Sequence, residues 1–127
     1  MWMKIVSVAL GGAAGALARW GMSNLVARSA GTGFPWPTLA VNALGCLLCG
    51  LVFAGLEAAC PAALRWRWAL LTGFIGAFTT FSTFALETFA LARGPNGIPL
   101  AMLYVLAQNA LGIAMLAGGY VIARTQS

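Results

Sequence analysis

Four apolar stretches, at about residues 5–27, 38–59, 68–92 and 98–123, take up most of this 127-residue chain. Each is as long as a helix needs to be to cross the hydrocarbon layer of a bilayer, which is roughly 20 mostly apolar residues. Few charges interrupt them: the whole sequence has seven Lys and Arg, two acidic residues and no His. Charged residues make up 7% of the chain, against about 25% in an ordinary soluble domain. The expected fold is an all-α membrane protein, a single domain of four transmembrane helices, with no length left over for a water-soluble domain.

The same composition argues against an enzyme. Catalytic triads, carboxylate pairs and oxygen-ligand metal cages draw on His and Asp, and this chain has neither. Cys46-x-x-Cys49 lies inside the second apolar stretch with no His and no second pair to complete a zinc or redox site. Together with Cys60, these cysteines read as small apolar fillers. The net charge of +5 does not imply nucleic acid, which calls for basic residues clustered on one solvated face. Here Lys4, Arg19, Arg28, Arg93 and Arg124 are scattered, and only Arg65 and Arg67 stand close together. Such cations anchor spans at the headgroups, as do Trp66 and Trp68.

The first stretch reads as a retained span, since no small-residue cleavage site follows it. Turns are expected at Arg28 to Pro37, at Pro61 and at Arg93-Gly-Pro-Asn-Gly. Four spans place both chain ends on one side, with Lys4, Arg65, Arg67 and Arg124 there and Arg19, Arg28 and Arg93 toward the other. Orientation follows the bias of basic residues, and four against three is a weak bias. The chain is therefore expected to insert both ways up and to pair as an antiparallel, dual-topology homodimer.

The third stretch differs from the rest. Gly73, Gly76, Thr79, Thr80, Ser82 and Thr83 weaken helix propensity in its middle, which predicts a broken helix. Irregular backbone at that depth is tolerated only inside protein or along a cavity. Phe81 and Phe84, three apart, share a helical face, and a ring edge is positive. Two edges among hydroxyls can face an anion, although such a pair also serves as core packing. Asn42, inside the second span, either bonds a neighbouring helix or faces a pathway. Glu87 is an intramembrane acid, read as a proton site or as the partner of a cation or backbone donor across the bundle. Glu57 reads as interfacial. Tyr104 and Gln108 share a face at spacing four, and Asn109 adds a further donor. Gly11-x-x-x-Gly15, with Gly45 and Gly50 on the second span, suits close helix packing.

These segments resemble the Fluc (CrcB) fluoride channels of microbial membranes. The resemblance is carried by Gly11-Gly12-Ala13-Ala14-Gly15-Ala16-Leu17-Ala18-Arg19, by Thr38-Leu39-Ala40-Val41-Asn42-Ala43-Leu44-Gly45, and by Gly73-Phe74-Ile75-Gly76-Ala77-Phe78-Thr79-Thr80-Phe81-Ser82-Thr83-Phe84 with Glu87. It implies an antiparallel homodimer in the cell (inner) membrane, with a broken third helix and two fluoride pores. Fluoride would leave passively down its electrochemical gradient, which confers fluoride resistance. By the same resemblance Asn42 donates to the ion, and Phe81 and Phe84 line each pore by their edges. Ser82, Thr83 and Tyr104 form a polar track beside the rings. Gly76 and Thr79 lend backbone carbonyls to a central Na+ that is structural and not transported. Arg19 matches the arginine that closes the family's first motif, and Ala77 stands where many members have a glycine. The alternative is a small four-helix proton-coupled multidrug exporter using Glu87, although such exporters carry their acid in the first span.

Overall fold

A computed structural model describes residues 1–58 and 66–125. Cys60, Pro61 and Arg65, and the end of the second stretch at Ala59, lie outside the described residues. Among the described residues there are four helical spans long and apolar enough to cross a membrane. They are α1 (Trp2–Ser29), α2 (Trp36–Ala58), a third span in two halves, and α5 (Gly97–Thr125). The first half of the third span, α3, consists of wide π-type turns over Trp68–Ile75 continued by one α turn, Gly76–Phe78. The second half, α4, is Phe81–Ala92.

The helices run a few residues past the apolar stretches, because Trp2, Met3 and Trp36 extend their ends. All three are exposed, as suits residues at the interface with lipid headgroups. A helix of 28 residues such as α1 rises about 42 Å at 1.5 Å per residue, longer than a hydrocarbon layer of about 30 Å, so it tilts or projects into the headgroups.

The third span breaks at Thr79 and Thr80, both in extended conformation. Each half then finds its own partner: α3 packs on α1, and α4 on α5. Helix α2 packs most extensively on α5. Small residues bring backbones together along both seams, since helices in lipid associate by close packing rather than by hydrophobic drive. A Cβ added at Gly11 would run into the Ala69 carbonyl, and one at Gly15 into the Phe74 carbonyl. Across the other seam, Gly50 lies against the Leu116 carbonyl and Gly119 against that of Leu47. The glycines singled out for packing do that work.

An alanine at Gly119 forces the α2/α5 seam apart, because the obstacle is backbone and cannot rotate away. Overpacking of this kind costs about 1–3 kcal/mol. The expected result is a lowered thermal unfolding midpoint for Gly119→Ala in detergent-solubilised protein; an unchanged midpoint would contradict the seam.

Candidate functional site

The break organises the middle of the molecule. In a continuous helix the Thr80 N–H would bond the Gly76 carbonyl; here it donates to Asn42 Oδ1 at 2.9 Å. The Asn42 amide nitrogen donates back to the Thr80 carbonyl at 3.2 Å. The side chain of Asn42 thus stands in for a neighbouring backbone and satisfies both polar groups of the residue at the break. Thr80 also caps α4: its hydroxyl accepts from the Thr83 N–H at 3.2 Å and bonds the Thr83 hydroxyl at 3.0 Å, in the usual manner of an N-cap threonine.

Two carbonyls are affected. Gly76 loses the Thr80 amide to Asn42, and Thr79 loses the Thr83 amide to the Thr80 side chain. Both therefore lack the donor four residues on that a helix supplies. Arg19 occupies the carbonyl between them in sequence, its Nε donating to Ala77 O at 3.1 Å. Expected to reach toward the headgroups, Arg19 instead turns inward and places its charge at the carboxyl end of α3, the negative end of the helix dipole.

Beyond the break, the Phe81 and Phe84 rings meet edge to face with centroids 5.6 Å apart. Phe84 continues to Tyr104 at 5.4 Å. Phe81 is 78% exposed on the single chain, so it is not core packing within it. A cavity of about 270 Å³ is bounded by both rings together with Asn42, Cys46, Thr80 and Gln108. Among the described residues lining it, none is charged. Thr83 faces the cap, and Ser82 lies 3.4 Å from the Thr80 hydroxyl.

Glu87 departs from both sequence readings of its partner. Among the described residues it is bound neither by a cation nor by a backbone donor, but by two hydroxyls: Thr38 donates to Oε1 at 2.8 Å and Tyr104 to Oε2 at 2.6 Å. It borders a second cavity of about 360 Å³, between the α1–α2 connection at Gly33 and Pro35 and the end of α4 at Leu91 and Gly94. Tyr104, fully buried, receives the Gln108 amide at 3.0 Å, so the spacing of four does bring them together. Asn109 lines the first cavity but spends its amide on the Val105 carbonyl. Glu57 sits apart, at an exposed cluster with Tyr120 and Arg124.

Thr38 and Phe34 join this group of contacts but are not among the site residues to which the sequence points. Thr38 stands four before Asn42, which in turn stands four before Cys46, so one face of α2 carries all three. That stripe was legible. Phe34 packs edge-on against Tyr104 at 5.3 Å, a contact between a connection and a helix that no spacing reveals.

Known proteins resemble this chain over most of its length. The profile described as CrcB-like protein, Camphor Resistance (CrcB), matches residues 6–120. The chain belongs to the CrcB family. The fluoride-specific ion channel FluC of Nitrosococcus oceani is 42% identical over 124 residues, covering 98% of each chain. That of Acidobacterium capsulatum is 46% identical over 121 residues, covering 94% of this chain and 95% of the relative. That of Thermus thermophilus is 46% identical over 118 residues, covering 92% of each. This CrcB-family protein is thus a multi-pass membrane protein similar end to end to proteins named as channels, and the exporter reading finds no support in these relatives.

Proposed function

We propose that this chain is the subunit of a fluoride channel that lets the ion leave the cell passively and so confers resistance to it. The observation that carries the reading is an uncharged cavity at mid-span, edged by the Phe81/Phe84 ring pair and by the polar groups of a broken helix. Fluoride is small and holds its water tightly, so a pore must replace that shell with several donors. Hydroxyls of Ser82 and Thr83, ring edges, the Asn42 amide and the positive amino end of α4 supply them with no charged side chain at the cavity to trap the ion, while the Tyr104 hydroxyl, which donates to Glu87, supports the track from behind. Both hydrogens of the Asn42 amide are engaged, at 3.2 and 3.3 Å. To serve the ion, Asn42 releases one of these long bonds.

The exposed Phe81 face suits a second subunit, and a dual-topology antiparallel pairing would present two equivalent pores. On its two-fold axis the spare carbonyls of Gly76 and Thr79 would be doubled to four. Hard oxygen donors of this kind fit Na+, as they do where unwound helices bind it in transporters. The ion would supply a fixed positive charge that holds the two breaks together, while Arg19 holds the neighbouring Ala77 carbonyl. A negative cell interior acts on each exiting anion with about 2.3 kcal/mol per 100 mV, so no proton gradient is required.

Purified protein in vesicles loaded with fluoride is expected to release it only when a potassium ionophore balances the charge, and at the same rate with and without a proton gradient. Release that needs a proton gradient would contradict a passive channel. Replacing Na+ by a bulky organic cation throughout purification is expected to weaken the dimer; indifference would remove the central cation.

A further inference from the structure

The hydrogen bonds around Asn42 continue past the site in one direction. The Thr80 N–H donates to Asn42 Oδ1 at 2.9 Å, Asn42 Nδ2 to Gln108 Oε1 at 3.3 Å, Gln108 Nε2 to the Tyr104 oxygen at 3.0 Å, and the Tyr104 O–H to Glu87 Oε2 at 2.6 Å. Every donor along this chain points toward Glu87. The two termini leave no choice: a backbone N–H can only donate, and an ionised carboxylate can only accept. Between them, the Asn42 amide is held at both atoms by the Thr80 backbone, while the Gln108 amide and the Tyr104 phenol could each be turned either way. A carboxylate at one end makes Tyr104 a donor, which obliges Gln108 to offer its nitrogen, which leaves the Gln108 oxygen for Asn42.

We infer that Glu87 is a positioning residue: through Tyr104 it sets the direction of the Gln108 amide, and with it the oxygen that Gln108 presents to the Asn42 amide beside the break at Thr80. The chain links the cavity that Glu87 borders to the one that Asn42 and Gln108 line. Bonds in such a chain polarise one another, and those that end on a charge are the strongest. Burial strengthens the case. Tyr104 is wholly covered and Gln108 nearly so, so water does not compete for their groups. Thr38 holds the second oxygen of Glu87 at 2.8 Å, which fixes the carboxylate that starts the chain.

Direction, not bulk, is what this assigns, and it can be tested at constant size. Gln108→Glu is isosteric but presents an oxygen where Tyr104 needs a donor. The phenol then lies between two carboxylates and can serve only one. Combining it with Glu87→Gln restores a consistent chain: the new amide donates to the Tyr104 oxygen, Tyr104 donates to the residue at 108, and that carboxylate still accepts from Asn42.

The expected results are read twice on the full chain. Fluoride efflux from vesicles falls about tenfold in Gln108→Glu, the size expected for losing one hydrogen bond to a charged group, and the double variant regains most of it. In detergent, the thermal unfolding midpoint falls in Gln108→Glu, where Tyr104 can serve only one of two carboxylates, and returns in the double variant. This second readout does not depend on the channel reading: wild-type protein that passes no fluoride but shows this pattern of midpoints would overturn the proposed function and keep the chain. Should Gln108→Glu not fold, Tyr104→Phe, which loses a single oxygen, is expected to lower the same midpoint. A midpoint unmoved by Gln108→Glu or Tyr104→Phe, or a double variant no better than Gln108→Glu alone, would overturn the inference.

Discussion

Replacing Phe81 and Phe84 together by isoleucine is expected to lower fluoride efflux about a hundredfold, with each single change costing about tenfold, since 1.4 kcal/mol corresponds to a factor of ten. Isoleucine preserves an apolar side chain of useful bulk but has no positive ring edge to offer an anion. The two rings touch edge to face and border one cavity, so their contributions belong to one path. Stability is expected to respond far less. Phe81 is mostly exposed on the single chain, and an apolar swap of this kind usually costs under about 1.5 kcal/mol. Efflux and thermal unfolding of the same preparations separate the two effects. Wild-type efflux in the double variant would mean that the rings serve packing or lipid contact instead.

The second large effect is expected at Asn42. Asn42→Leu keeps the size of the side chain but strips partners from the Thr80 N–H, the Thr80 carbonyl and Gln108 Oε1. Each buried polar group left unpaired costs about 1–3 kcal/mol, so the loss reaches about 3 kcal/mol or more. The break closes or frays, and efflux is lost with it. Asn42→Asp is expected to fail as well: one oxygen still accepts from Thr80, but the other faces two acceptors. Thermal unfolding and hydrogen exchange at Thr80 check both variants. Stability equal to wild type in Asn42→Leu would show that the break holds itself open.

Much of this was readable before the structure. The four spans follow from the lengths of the apolar runs, because nothing else satisfies their backbone groups in lipid. The break at Thr79 and Thr80 falls inside the cluster of Gly, Thr and Ser that weakens the helix. Asn42 bonds the neighbouring helix at Thr80 and also lines the cavity, and Tyr104 and Gln108 meet as their spacing implies. The wide turns of Trp68–Ile75 were not legible, because they depend on which carbonyl each amide finds and not on residue type. Neither was the inward turn of Arg19, nor the hydroxyl pair on Glu87. Both require the relative heights of helices, and only a stripe such as Thr38, Asn42 and Cys46 leaves a trace of that in sequence.

Anion selectivity tests the central claim, which is that uncharged hydrogens carry an anion through this cavity. Efflux of fluoride and of chloride should be recorded side by side from vesicles with and without the purified protein, at one ionic strength and one membrane potential. Fluoride is expected to leave the protein-containing vesicles rapidly while chloride stays behind. Equal release of both ions, or release no faster than from empty vesicles, would contradict it.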